Sequence, residues 1–173
     1  MSQIVITTPS EAIEYEERLR DAAYETQMRV HEISEASDPI SFFEEIKFNR
    51  VGCNPLDTTD NWNVVEQLNQ TFTYLASFRA AVLIFDWHPC VRSLTLNLGV
   101  KSGSDIEGAC DGGIAAEVFA ATHPGSNQKL QKDVKKVQAV EARHKYVFFI
   151  CPSIGEGKYQ SPNSEGVKVW SLG

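Results

Sequence analysis

Long apolar runs are missing from this chain: none exceeds residues 80–85, far short of the roughly 20 residues a membrane helix needs. The opening Met1-Ser2-Gln3 has no basic segment leading into an apolar run, so no signal peptide and no membrane partner are expected. Cysteine is sparse and scattered. Cys53, Cys90, Cys110 and Cys151 include no Cys-x-x-Cys pair, which argues against a zinc knuckle and against a disulfide framework. Buried, reduced thiols in a cytoplasmic protein are the expectation. Glycine-rich phosphate loops, a Ser-His-Asp arrangement, dinucleotide fingerprints and internal repeats are absent as well. The tryptophans Trp62, Trp87 and Trp170 lack the spacing of a base-stacking platform and read as core.

What is present fits one domain over residues 1–173, with 42% hydrophobic and 23% charged residues and room for a real core. The net charge of −7 is unevenly divided. Residues 1–60 carry 13 acids and 5 bases, whereas residues 61–173 carry 10 acids and 11 bases. In the second part Lys129, Lys132, Lys135, Lys136, Arg143 and Lys145 stand close together against only Asp133 and Glu141. Such a cluster attracts phosphate locally even on an acidic molecule, although a solvated helix face is the commoner meaning of such lysines.

Helical and extended periodicities alternate along the chain. Thr8-Pro9-Ser10-Glu11 is a helix start with Thr8 as N-cap, and Ala12, Tyr15, Leu19, Ala23, Thr26, Val30 and Ile33 continue it at helical spacing. This acidic helix, an appendage or a homodimer contact, should end before Asp38-Pro39. Residues 37–62 read as an irregular connection. A second helix is expected over 62–85, with Val64, Leu68, Leu75, Phe78, Val82 and Phe85 as its buried stripe. Strands follow: Leu94, Leu96, Leu98 and Val100 alternate with polar residues, and runs at 104–110 and 114–122 flank the turn Asp111-Gly112-Gly113. Pro124-Gly125-Ser126 opens a helix that buries Leu130, Val134 and Val137. Residues 146–151 suit a fully buried strand, and 167–172 an edge strand after a polar loop. His88 and His123 each precede proline and mark turns rather than bases.

Chemistry concentrates in the hairpin. With a three-residue loop Asp111-Gly112-Gly113, Cys110 pairs with Ile114, Glu107 lies opposite Glu117, and Asp105 lies opposite Phe119, all four on one face. Carboxylates gathered there repel one another unless a cation lies between them, and hard oxygen ligands suit Mg²⁺ or Mn²⁺. A two-residue loop would send the aspartate and glutamate to opposite faces and remove the site.

In this order of elements the chain resembles the restriction-endonuclease-like, or PD-(D/E)xK, nucleases. Their core is a helix, a three-stranded meander, a helix and a strand. The resemblance implies an α/β fold with that core at 62–151, an added N-terminal helix within 1–61, and a C-terminal loop and edge strand at 152–173. Asp105 would match the family's aspartate and Glu117 its glutamate, with Glu66 as the supporting glutamate of the preceding helix. The implied reaction is hydrolysis of a DNA or RNA phosphodiester with Mg²⁺ or Mn²⁺ as cofactor. Where the family has lysine two residues after the glutamate, this chain has Phe119. Some members recruit the missing residue from the next helix. Lys129, Lys132 and Lys136 share one helical face, and Lys129 or Lys132 lies near enough to the helix start to serve. The alternative is a catalytically inactive binding or scaffolding module on the same fold.

Overall fold

The computed structural model describes residues 2–99, 103–123 and 125–173; Val100 and Pro124, invoked above as strand and helix-opening residues, lie outside them. The protein is a mixed α/β fold. Two compact units divide it, one of residues 1–13 and 76–173, the other of residues 14–75. The boundaries fall within helices α1 (Pro9–Ala36) and α3 (Val64–Trp87).

The larger unit is a seven-stranded sheet in the order β1-β4-β5-β6-β7-β9-β8. Strand β4 (Leu94–Leu98) alternates buried leucines with half-buried polar residues, which is why one of its faces joins the core. It pairs antiparallel with β1 (Ser2–Ile6) on one side and β5 (Ile106–Gly108) on the other. The β1 strand was not anticipated; its signal is the short β-branched run Ile4-Val5-Ile6. Strand β6 (Ile114–Ala120) turns back antiparallel to β5 and completes a meander. Helix α4 (Lys129–Gln138) then carries the chain to β7 (His144–Ile150), which pairs parallel with β6. Leu130, Val134 and Val137 of α4 join one core with Ala115, Phe119, Val147, Phe149 and Val169. On the other flank of β7, Trp87 stacks on Phe148 and meets Trp170 edge-on.

Strand β9 (Lys168–Ser171) is not an edge strand as expected. It lies between β7 and the two-residue β8 (Gly157–Lys158), so part of the polar loop returns to cover its free hydrogen-bonding groups. The cysteine reading needs correction too. Cys90 and Cys110, 20 residues apart with Cα atoms 5.9 Å apart, form a disulfide, while Cys53 and Cys151 are free and buried. Sequence spacing could not foresee this, because the turn after α3 and the β5–β6 loop meet only in the folded sheet. Cysteine usage therefore does not argue for a reducing compartment. No described helix is long and apolar enough to cross a membrane.

In the smaller unit the supposed irregular connection is structured. Asp38 caps α2 (Pro39–Phe48), accepting from the N–H groups of Ile40 and Ser41, so Asp38-Pro39 is a start signal as well as a stop. A hairpin of β2 (Gly52–Asn54) and β3 (Asp57–Trp62) follows. Asn63 caps α3 by accepting from the Glu66 N–H at 2.8 Å. The buried stripe of α3 also differs from expectation. Val64, Gln67, Tyr74, Phe78, Ala81 and Ile84 are buried, whereas Leu68 is 53% exposed and Leu75, Val82 and Phe85 are half-buried. The physical reason is Gln67, whose amide oxygen accepts from the Cys53 N–H at 2.8 Å and the Thr26 hydroxyl at 2.7 Å. Its Nε2 donates to the Ala22 carbonyl at 3.2 Å. A buried polar network of this kind selects the helix face.

Gln67→Leu keeps the volume but strips buried partners of their bonds, so it should cost about 2–4 kcal/mol at roughly 1–3 kcal/mol per orphaned group. Urea denaturation reads this; a loss under about 1 kcal/mol would mean the network is dispensable.

Candidate active site

The hairpin register differs from the expected one by two residues. Ile106 pairs with Ala116, Glu107 with Ala115 and Gly108 with Ile114. The loop is therefore 109–113, five residues rather than three. Asp111, Gly112 and Gly113 all take positive φ (42°, 91° and 90°), which two glycines accept without strain. Glu107 is thus not opposite Glu117, and Asp105 is not opposite Phe119. A shift of two leaves the pleat in phase along β5 and β6, and Asp105 lies one residue before β5. One step beyond β5 the same register sets Asp105 beside Glu117, and Asp105 Oδ2 accepts from the Val118 N–H at 2.9 Å. Glu107 is exposed and turns back to accept from the Ser104 N–H at 3.0 Å.

Glu117 lies at the middle of β6, between β5 and β7 and beneath α4, and is only 1% exposed. Its Oε2 accepts from Lys136 Nζ at 2.7 Å, while its Oε1 has no hydrogen-bond partner among the described residues. A second pair lies beside it. Lys129 Nζ donates to Asp133 Oδ1 at 2.8 Å, and Asp133, 3% exposed, leaves its Oδ2 without a partner among the described residues. Phe119, two residues after Glu117, is core, 3% exposed and stacked on Phe149. The ammonium nearest the glutamate comes instead from α4.

Of the lysines expected to serve, Lys129 is committed to Asp133 and Lys132 is exposed; Lys136, two turns into α4, makes the contact. Asp133 went unnoticed in the sequence, where it counted only as an acid among lysines. The available signal was its position on the apolar stripe of Leu130, Val134 and Val137, where a carboxylate has no reason to be unless it is used. Glu66 belongs to the 14–75 unit, where its carboxylate accepts from Asn63 Nδ2 at 3.4 Å in the first turn of α3. His123 accepts from the Gly125 N–H in a turn, and His88 bonds the Tyr146 hydroxyl at 2.6 Å.

Burial sets the electrostatics. It pushes the Glu117 carboxyl up to about 7; the Lys136 hydrogen bond opposes this, and the charges of Asp105 and Asp133 add to it. Burial likewise raises Asp133, against the pull of Lys129. For Lys136 burial works downward, but its bond to Glu117 and the charges of Glu117, Asp105 and Asp133 outweigh it and hold the ammonium above its ordinary range.

The donor set is all hard oxygen, and two of the oxygens are orphaned, which suits a divalent cation with a large water shell. No three His, Cys, Asp or Glu side chains among the described residues are grouped closely enough to ligate an ion directly. Mg²⁺ characteristically takes only one or two carboxylates and keeps its waters, a demand that Asp105 and Glu117 match in donor type and number.

No protein family, curated protein or solved structure matches the chain.

The folded state holds the Glu117 proton up to about pH 7, the unfolded chain only to about 4.5. The stability it confers is therefore complete below pH 4.5 and is lost as pH rises through 7. In metal-free buffer the unfolding free energy should fall by about 1–3 kcal/mol between pH 5 and 8, and Glu117→Gln should flatten that slope. Identical slopes in the two proteins would contradict it.

Proposed function

We propose that the protein is a metal-dependent nuclease of the restriction-endonuclease-like kind, hydrolysing phosphodiester bonds of DNA or RNA. The observation that carries this reading is the Lys136 ammonium 2.7 Å from Glu117, with the Asp105 carboxylate held at the adjoining Val118 N–H. Two carboxylates and one lysine are thereby brought together although the third strand bears no lysine. The chain order of α3, the β4–β5–β6 meander, α4 and the parallel β7 lends further support.

In this reading Asp105 and Glu117 hold Mg²⁺ or Mn²⁺, which when bound supplies charge neutralisation on the phosphate and a more acidic water. Asp105 is oriented by the Val118 N–H, so its second oxygen is directed by the backbone rather than by a mobile side chain. Lys136 orients the Glu117 carboxylate in the resting protein and can pass a hydrogen bond to the attacking water or a phosphate oxygen once substrate arrives. The exposed Lys132 presents positive charge on the same helix to a phosphate backbone.

Cleavage of single- and double-stranded DNA and RNA in Mn²⁺ is the test. Wild type should cut at least one of them, and Lys136→Met and Glu117→Gln should each lose about 100-fold or more. Equal cleavage by all three proteins, or none at any metal concentration, would overturn the proposal.

One observation favours a second reading, a non-catalytic binding or scaffolding module on the same fold. Both carboxylates that α4 covers are already paired with lysines. Calorimetric titration separates the two: a module of this kind takes up no Mn²⁺ beyond weak surface association, whereas the nuclease centre binds a single ion.

A further inference from the structure

Asp133 is the only acid of α4, and its burial is not explained by the ion pair it makes. A Lys129–Asp133 pair at i,i+4 forms as readily on the solvent face, where it costs no desolvation. Here the carboxylate is instead 3% exposed, and one of its oxygens has no partner among the described residues. The apolar neighbours on the same stripe would pack as well around a leucine. Asp133 is not isolated: Lys136, three residues along the same helix, donates to Glu117 at 2.7 Å, and Asp105 and Lys136 both act electrostatically on Asp133. Glu117 carries the second orphaned oxygen of the group. Two almost fully buried carboxylates with a free oxygen each, beside Asp105, are a centre short of positive charge and of hydrogen-bond donors. A hydrated cation supplies both, the charge at its centre and the donors in its water shell.

We infer that Asp133 is the outer carboxylate of this centre, holding a divalent ion bound by Asp105 and Glu117 through one of the ion's own waters, with Lys129 as its counter-ion when no divalent ion is present. The inference rests on the metal-bound reading proposed above and adds a residue from the crossover helix to it. Groups that reach a metal through such an outer shell change its affinity about 10–100-fold when removed.

The test is Mn²⁺ binding to the full chain by calorimetry, with thermal unfolding as the control for folding. Wild type should bind one ion, Glu117→Gln should abolish this, and Asp133→Asn should weaken it about ten-fold or more. Lys129→Met removes the competing ammonium and should tighten binding several-fold, but only while Asp133 is present; in the Asp133→Asn background it should do nothing. Lys135→Met removes the same charge from the exposed side of α4 and should leave affinity within about two-fold. No ion bound by wild type, or undiminished binding by Glu117→Gln, sinks the metal-bound reading and this inference together. Wild-type affinity in a folded Asp133→Asn protein overturns the role of Asp133 alone. If Asp133→Asn does not fold, an affinity unchanged by Lys129→Met, or raised equally by Lys135→Met, overturns it.

Discussion

The ion pair between Glu117 and Lys136 is the constraint around which the larger unit is organised. A glutamate in the middle of a strand covered by a helix can be ionised only if a cation comes with it. Lysine from the covering helix meets that need with its head while its aliphatic stem stays at the rim, and it holds α4 in one rotational setting over β6. Leu130, Val134 and Val137 would pack acceptably with some slippage; a 2.7 Å charged contact would not survive it. The pair is thus both a restraint on packing and the means by which a carboxylate is held in this core.

That arrangement depends on the sheet topology. An antiparallel meander brings Asp105 beside Glu117 because sequential strands share a register, and a parallel step from β6 to β7 requires a crossover, which supplies α4 and its lysines. Local pairing therefore delivers the acids, and non-local connection delivers the bases. Asp133 joins them because a helix lying on a sheet must bury one stripe, and this chain has placed a carboxylate in that stripe.

The 14–75 unit follows a different principle. Its interior is held by the bonds of one glutamine to α1 and to β2, with Gly52 close against the Gln67 side chain. A methyl group at position 52 would press on that amide, so the hairpin and helix approach through a glycine. Apolar periodicity misled here, because a hydrogen-bonding side chain, Gln67, takes an inward position of α3 while Leu68 beside it is exposed.

Sequence alone determined the helices α1, α3 and α4 and the strands β4, β6 and β7, because these rest on period, caps and pleat parity, which are local. Parity tolerated a two-residue error in the loop around Asp111, so the acids stayed together although their predicted partners were wrong. Tertiary structure alone decided which lysine meets Glu117, that β8 covers β9, and that Cys90 meets Cys110. Each of these is a contact between segments far apart in the chain, and spacing along a sequence carries no information about the angle at which a helix settles on a sheet.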